Sequence, residues 1–175
     1  MKLLKFTFLI IAVSSLRCLF AQDIQKLPMR NGEIYFEEVV EINRNQKELF
    51  KNAKMFFAKA FNSSKNVINN EDPEAGIIIG NAGFNIYPKY MGSSYEQFVN
   101  FTIQLDIRND KYRYKIYGFH TKLHNLDDLN GYADGSIKNM KNTKRYATRQ
   151  IAEISQKTQS LITQLKTEMS NSDEF

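Results

Sequence analysis

The feature that most constrains the fold is a pair of adjacent strand-like segments between Gln97 and Phe119, joined by the polar turn Arg108–Lys111. The first segment places Val99, Phe101, Ile103, Leu105 and Ile107 on one face and Asn100, Thr102, Gln104 and Asp106 on the other. The second places Tyr112, Tyr114 and Ile116 on one face and Arg113, Lys115, Tyr117 and Phe119 on the other. This period-two alternation predicts an antiparallel hairpin with one face in the core and one in solvent. Asn109-Asp110 suits a tight turn that tolerates positive φ.

A further alternating segment, Glu33–Ile42, predicts a strand of the same kind. Its apolar face carries Ile34, Phe36, Val40 and Ile42, and its other face carries Tyr35, Glu37, Val39 and Glu41. Glu38 falls on the apolar face, where a carboxylate is unexpected. The alternation nevertheless outweighs this one residue in favouring a strand.

Two shorter strands are predicted at Lys65–Asn70 and from Ile77 to Ile86. A turn with Pro73 and Gly76 separates them, since proline presets the bend and glycine permits its exit. Gly80 and Gly83 suggest a bulge or bend in the second strand. We expect the stretch from Pro88 to Ser94 to be an irregular loop.

Two helices complete the pattern. Asn45 with Glu48 three residues later resembles a capping box, followed by an apolar stripe at helical spacing: Leu49, Phe50, Ala53, Phe56, Phe57, Ala60 and Phe61. A long amphipathic helix is predicted from apolar residues at threes and fours between Ile137 and Met169, ending near Ser170. The fold class is therefore α+β, an antiparallel sheet of about five strands in the order β-α-β-β-β-β-α with both helices on one face.

The first residues have the pattern of a secretory signal peptide. Lys2 and Lys5 precede an apolar run from Phe6 to Val13, and Leu19 and Ala21 occupy the −3 and −1 positions of a cleavage site before Gln22. The apolar run is too short to span a bilayer comfortably. We expect a signal peptide at 1–21, a flexible lead-in at 22–32, a single α+β domain at 33–170 and a disordered tail at 171–175. The protein is then exported, periplasmic or extracellular, and not membrane-spanning after leader cleavage.

Removal of the leader changes the chemistry available to the chain. Cys18 is the only cysteine, and Arg17 before it does not fit a lipoprotein signal, so the mature chain would have no cysteine. Disulfides, thiolate metal sites and cysteine nucleophiles are then excluded. The leader also holds three basic residues and no acidic one, so the formal charge of +5 falls to +2. Such a balance gives no argument for binding a polyanion.

The order of elements and several segments resemble a known family. The segments are the strand Glu37–Ile42, the aromatic helix KELFKNAKMFFAKAF, the turn and strand EDPEAGIIIG, and NDKYRYKIYGF. They are similar to a bacterial domain-of-unknown-function family with a TATA-binding-protein-like fold, found in exported proteins of Gram-negative bacteria. The resemblance covers roughly Glu33 to Phe119. It implies a fold and no chemistry.

No motif predicts catalysis, a cofactor or a metal ion. His120 and His124 have the spacing of a helical zinc pair, but they follow a strand and have no glutamate between them of the HExxH type. No nucleophile elbow occurs, and the glycines lack the lysine of a phosphate loop. The sequence predicts no catalytic, cofactor-binding or metal-binding residues.

The helix-free face of the sheet is the remaining candidate surface. Apart from Val39, it comprises Tyr35, Glu37, Glu41, Asn100, Thr102, Gln104, Asp106, Arg113, Lys115 and Tyr117. In TATA-binding proteins the equivalent face binds DNA, but here it mixes both charge signs and lacks an apolar wedge, so we expect no nucleic-acid binding. The sequence favours a non-enzymatic binding or accessory module that presents this face, or the polar connector 120–136, to an envelope protein, peptide or glycan. An inert solvated face and a hydrolase with an unrecognised site are the alternatives.

Overall fold

The computed structural model describes residues 27–61, 67–90, 92–121 and 141–172. Within these ranges, the side chains of Tyr90 and of residues 141–145 are not described. The expected signal peptide, residues 22–26 of the expected lead-in, the connector beyond Thr121 and the final residues of the tail lie outside the described residues. His124 lies outside them as well.

The described chain contains nine strands and two helices, numbered here in chain order. The strands are β1 (Met29–Arg30), β2 (Glu33–Ile34), β3 (Phe36–Glu41), β4 (Ile68–Asp72), β5 (Ile77–Ile86), β6 (Lys89–Tyr90), β7 (Ser93–Ser94), β8 (Gln97–Arg108) and β9 (Lys111–Thr121). The helices are α1 (Gln46–Ala60) and α2 (Lys141–Ser170). The predicted α+β class is confirmed.

One five-stranded antiparallel sheet forms the frame, with the spatial order β3-β9-β8-β5-β4. The β8–β9 hairpin is at its centre, and β3 and β4 are its two edges. Two short hairpins, β1–β2 and β6–β7, lie outside this sheet. The expected irregular loop at Pro88–Ser94 therefore contains a small hairpin. The predicted strand at Lys65–Asn70 begins, among described residues, at Ile68 and runs on to Asp72.

Both helices cover one face of the sheet, as the amphipathic patterns predict. Asn45 is the N-cap of α1, and its side-chain oxygen accepts a hydrogen bond from the Glu48 backbone N–H at 2.9 Å. The buried face of α1 carries Leu49, Phe50, Ala53, Phe56 and Phe57. From α2 the core receives Ala147, Ile151, Ile154, Leu161, Ile162, Leu165 and Met169. They form one core with α1 and with the apolar face of β8, where Val99, Phe101, Ile103, Leu105 and Ile107 are all buried.

The alternation of β9 does not continue to its end, so the prediction that Phe119 shares a face with Tyr117 is wrong. Up to Tyr117 the faces are as predicted, but the pairing with β8 shifts between Asn100 and Thr102. The shift coincides with Gly118 at φ +66°, so Gly118 and Phe119 together occupy the place opposite Phe101. Such a bulge reverses the phase of the strand. Phe119 is consequently buried, and its ring packs against Phe101 at a centroid distance of 5.5 Å.

The glycines of β5 serve close ring packing rather than a bend. The pairing of β5 with β8 is regular from Ile77 to Ile86, and the irregularity lies in β4, between Ile68 and Asn70. A Cβ atom at Gly80 would lie 2.9 Å from Cε1 of Phe57, on the helix side. A Cβ atom at Gly83 would lie 2.5 Å from Cζ of Phe98. Both positions therefore need a residue without a side chain.

Candidate interaction surface

The helix-free face of the five-stranded sheet, here called the outer face, contains all ten residues predicted for it. The pairing places Glu37 opposite Lys115, Gln104 opposite Lys115, and Asp106 opposite Arg113. Because residues opposite each other in an antiparallel pair point to the same side of the sheet, their side chains are neighbours on this face. The register thus places the predicted residues on one face of the sheet.

A chain of ion pairs crosses the outer face. Arg30 Nη1 lies 3.0 Å from Glu37 Oε2, and Glu37 Oε1 lies 3.8 Å from Arg113 Nη1. Arg113 Nη2 lies 2.6 Å from Asp106 Oδ2, and the same oxygen is 3.0 Å from Lys115 Nζ. Basic and acidic groups thus alternate across β1, β3, β9 and β8. Each charge is offset by a neighbour of opposite sign.

Asp106 is the centre of this arrangement. Its burial alone would raise the pKa of its carboxyl group, but hydrogen bonds from Gln104, Lys115 and Arg113 outweigh burial and hold the pKa below its ordinary value. The Gln104 side-chain amide donates to Asp106 Oδ1 at 2.7 Å. In return, the hydrogen bond to Asp106 raises the pKa of the Arg113 guanidinium. The carboxylate is therefore ionised at neutral pH and orients the basic side chains around it.

An aromatic pair lies beside the ion pairs. The rings of Tyr35 and Tyr117 stack with centroids 5.7 Å apart and an interplanar angle of 25°. The Arg30 guanidinium lies over the Tyr35 ring, 5.0 Å from its centroid. With Glu37, Arg113 and Lys115 these residues line an open depression of about 640 Å³. The surface therefore offers aromatic contact area and charged hydrogen-bonding groups side by side.

The sequence analysis missed three residues of this depression: Arg30, Asn31 and Glu33. Arg30 and Asn31 lie in the stretch predicted as a flexible lead-in, and Glu33 is the first residue of the strand predicted after it. In the structure Arg30 pairs with Glu33 in the β1–β2 hairpin. The signal was present in Asn31-Gly32, an Asn-Gly pair typical of tight hairpin turns. Both residues have positive φ, 53° and 81°.

The other predicted surface residues lie on the same face outside the lining of this depression. Gln104 and Asp106 belong, with Val39, to a second depression of about 440 Å³. Thr102 Oγ1 donates to Asn81 Oδ1 at 3.2 Å. Asn100 and Glu41 line neither depression. The structure thus gathers half of the ten residues, those that line the larger depression, into one group.

A second polar cluster lies on the helix side of β3 and explains how the Glu38 carboxylate is accommodated on that face. Its carboxylate accepts hydrogen bonds from Lys166 Nζ and from the Tyr114 hydroxyl, both at 2.7 Å. The Lys166 hydrogen bond is the main cause that lowers the pKa of Glu38, followed by that from Tyr114. Burial and the Glu38 carboxylate raise the pKa of Tyr114 well above its ordinary value. Glu38 is accommodated because β3 is an edge strand, where its side chain is exposed.

Nothing in the described part of the chain assembles a metal site or a membrane span. No three His, Cys, Asp or Glu side chains within residues 27–61, 67–90, 92–121 and 141–172 are grouped to hold a metal ion. His120 is exposed at the end of β9, with Nδ1 3.0 Å from the Gly118 carbonyl oxygen. Within the same ranges, no helix is both long and apolar enough to cross a bilayer.

The described architecture defines the class of protein: an α+β domain with a TATA-binding-protein-like (TBP-like) fold. The chain belongs to the family described as "Domain of unknown function (DUF4468) with TBP-like fold", whose model matches residues 35–122. The resemblance inferred from the sequence is thereby confirmed. No curated protein sequence matches the chain significantly.

Two of the solved structures that match the chain share its fold. A DUF4468 family protein from Bacteroides ovatus is 14% identical, with a TM-score of 0.68, and the match covers 86% of this chain and 94% of that one. A TBP-like protein from Parabacteroides distasonis is 14% identical, with a TM-score of 0.59, and the match covers 81% of this chain and 98% of that one. At this identity the likeness establishes the fold alone.

Proposed function

We propose that this protein is an exported, non-enzymatic binding module of the bacterial cell envelope and that the outer face is its recognition surface. The observation that carries the proposal is the 640 Å³ depression, in which the Tyr35–Tyr117 stack adjoins the ion pairs of Glu37 and Arg113. Tyrosine and arginine are the residues enriched at protein interfaces. Both are presented here on paired strands, which hold them in place before a partner binds.

The charge pattern supports a particular kind of partner. Because acidic and basic groups alternate and neutralise one another, the outer face is matched by a ligand with mixed polar groups, such as an envelope protein, a peptide or a glycan. A polyanion would have to compete with Glu37 and Asp106 for the same guanidinium groups, which argues against nucleic acid. The connector 120–136 is the second proposed contact region, and beyond Thr121 it lies outside the described residues.

Export belongs to the proposal because of the leader pattern of residues 1–21. Cell fractionation followed by intact-mass measurement tests it. We expect the protein in the envelope or medium fraction with the mass of a chain that begins at Gln22. A chain that keeps Met1 and stays in the cytoplasm would contradict export.

A hydrolase-type enzyme is the alternative function, and no observation in the described part of the chain favours it. A hydrolase needs an enclosed pocket with convergent titratable groups. The depression on the outer face is open, and the Glu37 carboxylate that lines it already forms ion pairs with Arg30 and Arg113. An activity screen with ester, peptide and glycoside substrates separates the two functions.

Affinity capture from an envelope extract tests the recognition surface. We expect the immobilised wild-type domain to retain a partner that Tyr117→Ala and Arg113→Glu lose, because each variant removes part of the depression. The matched control is Met55→Ala, since Met55 is exposed on α1, on the covered side of the sheet. Equal recovery by all four proteins would refute the outer face as the recognition surface.

A further inference from the structure

The edge strand β3 leaves backbone hydrogen-bonding groups without a strand to pair with. The Ile42 N–H donates to the Asp110 carbonyl at 2.9 Å, and the register then pairs Val40 with Tyr112 and Glu38 with Tyr114. In an antiparallel pair the residues that exchange hydrogen bonds alternate with those that do not. The even-numbered residues of β3 therefore bond to β9. The N–H and C=O groups of Glu37, Val39 and Glu41 point away from the sheet.

The β1–β2 hairpin confirms which side is open. The Tyr35 N–H points to the same side of the strand as the Glu37 N–H, because the two residues are two positions apart. It donates a hydrogen bond to the Pro28 carbonyl at 2.9 Å. The edge next to Tyr35 is thus already occupied by a backbone acceptor. No described residue provides such a partner from Glu37 to Glu41.

The opposite edge of the sheet is protected in a way that β3 is not. Strand β4 contains the register shift between Ile68 and Asn70, and Asn69 uses its side chain to bond the Asn81 N–H at 2.8 Å. Bulged edges twist away from further pairing. Strand β3 is regular over its whole length, without a bulge or a proline.

Depressions flank the open edge on both sides of the sheet. The 640 Å³ depression lies on the outer face, and another of about 530 Å³, walled by Met29, Phe36 and Ile162, lies on the helix side. The two share Arg30, Tyr35 and Glu37. In strand addition, alternate side chains of the added strand point to opposite faces of the sheet, so depressions on both faces can receive them.

The side chains of the edge indicate the composition of the occupant. Glu37, Val39 and Glu41 point to the outer face, and Val39 is 56% exposed. Opposite charges directly across two strands are favourable and like charges are unfavourable. An added strand that alternates basic, apolar and basic residues matches this edge. A second copy of β3 centred on Val39 would place Glu37 opposite Glu41 of that copy and is disfavoured.

We propose that β3 is a strand-addition site that pairs with an extended segment of another protein carrying basic, apolar and basic side chains at alternate positions. The proposal deepens the proposed function, on which it rests, because Glu37 and Glu41 belong to the outer face. It adds the class of partner and the backbone groups that bind it.

A capped heptapeptide, serine-lysine-threonine-valine-threonine-lysine-serine, is the probe. Binding is measured by titration calorimetry, and amide hydrogen exchange is followed by NMR. In the free protein we expect fast exchange at Glu37, Val39 and Glu41 and slow exchange at Glu38 and Val40. The peptide should slow exchange at the first three amides. Replacing both lysines of the peptide by glutamate, or methylating its valine nitrogen, should weaken binding at least tenfold.

The decisive variant is Val39→Pro. It removes an N–H that β9 does not use, and proline is tolerated on an edge strand in that position. We expect an unchanged folded spectrum and at least tenfold weaker peptide binding, whereas Asn70→Lys on the opposite edge should change the dissociation constant less than twofold.

Three results would overturn the proposal. The first is that Val39→Pro leaves peptide binding unchanged. The second is that residues 22–26 of the free protein already protect the edge amides from exchange. The third is that protection of these amides rises with protein concentration, as pairing with a second copy would cause. Failure of the proposed function gives a different result from failure of strand addition. In that case Tyr117→Ala and Arg113→Glu leave envelope capture intact, whether or not the peptide binds.

Discussion

At the scale of single residues, Glu38 holds the sheet edge to the long helix. Its carboxylate accepts hydrogen bonds from Lys166 of α2 and Tyr114 of β9, so it joins three elements. The lowered pKa of Glu38 means that the folded protein binds the ionised carboxylate more favourably than the unfolded chain does. The stabilisation is complete above the ordinary pKa of a glutamate. It is lost as the pH falls through the lower, folded-state value.

We predict that Glu38→Gln lowers the unfolding free energy by up to about 1 kcal/mol at pH 7, the range of partly exposed ion pairs. The difference from wild type should begin to shrink as the pH falls below the ordinary pKa of a glutamate, and it should be lost once the pH is below the lower, folded-state pKa of Glu38. Urea unfolding at pH 7 and at a series of acidic pH values measures it. Glu41→Gln on the same strand is the control, since Glu41 forms no ion pair in the described part of the chain. A difference that stays constant with pH would contradict the ionic origin.

The burial of Phe119 gives the second residue-scale prediction. Phe119→Ala should cost about 3 kcal/mol, as for other buried phenylalanines, because it opens a cavity beside Phe36 and Phe101. Tyr117→Ala should cost about 1 kcal/mol, mainly for the lost stacking with Tyr35. Denaturant unfolding compares the two. A larger loss of stability for Tyr117→Ala than for Phe119→Ala would contradict the burial of Phe119 and the bulge at Gly118 that causes it.

At the scale of elements, the β8–β9 hairpin also fixes the start of α1. The Asn109 side chain at the hairpin turn accepts a hydrogen bond from the Gln46 N–H at 2.8 Å. Asn45 accepts one from the Glu48 N–H at 2.9 Å. Two of the unpaired N–H groups at the helix N-terminus are therefore satisfied, one locally and one by a residue 63 positions away.

We predict that Asn109→Ala and Asn45→Ala each lower the unfolding free energy by about 1 kcal/mol, the usual effect of a lost helix cap. Because the two side chains serve different N–H groups, the double variant should lose roughly the sum. Thermal and urea unfolding provide the values. The exposed Asn43→Ala is the control and should stay within about 0.5 kcal/mol of wild type. An Asn109→Ala protein as stable as this control would refute the tertiary cap.

The sequence predicts local features of this fold well and long-range ones poorly. Alternation in β8 and the Asn45 cap are local, so both were predictable. The Asn109 cap and the burial of Asn52, whose Nδ2 donates to the Asn171 carbonyl at 2.9 Å, depend on residues distant in sequence. The bulge at Gly118 depends on pairing with β8, which alternation alone does not show. At the candidate site, the shared face was predictable, but the contribution of Arg30 was not.

At the scale of the whole molecule, the proposed function gives the two faces of one sheet different roles. The face covered by α1 and α2 contains the buried core. The outer face holds the stacked tyrosines, the alternating ion pairs and the open edge of β3. Substitutions in the core should therefore act through stability, whereas substitutions on the outer face should act through partner binding.

Site-specific photocrosslinking in cells tests most directly whether the outer face meets a partner. A benzophenone side chain replaces Tyr117 in one protein and Met55, exposed on α1, in another. We predict a discrete crosslinked product from position 117 and none from position 55. A product from position 55 alone, or from neither position, would contradict the outer face as the recognition surface.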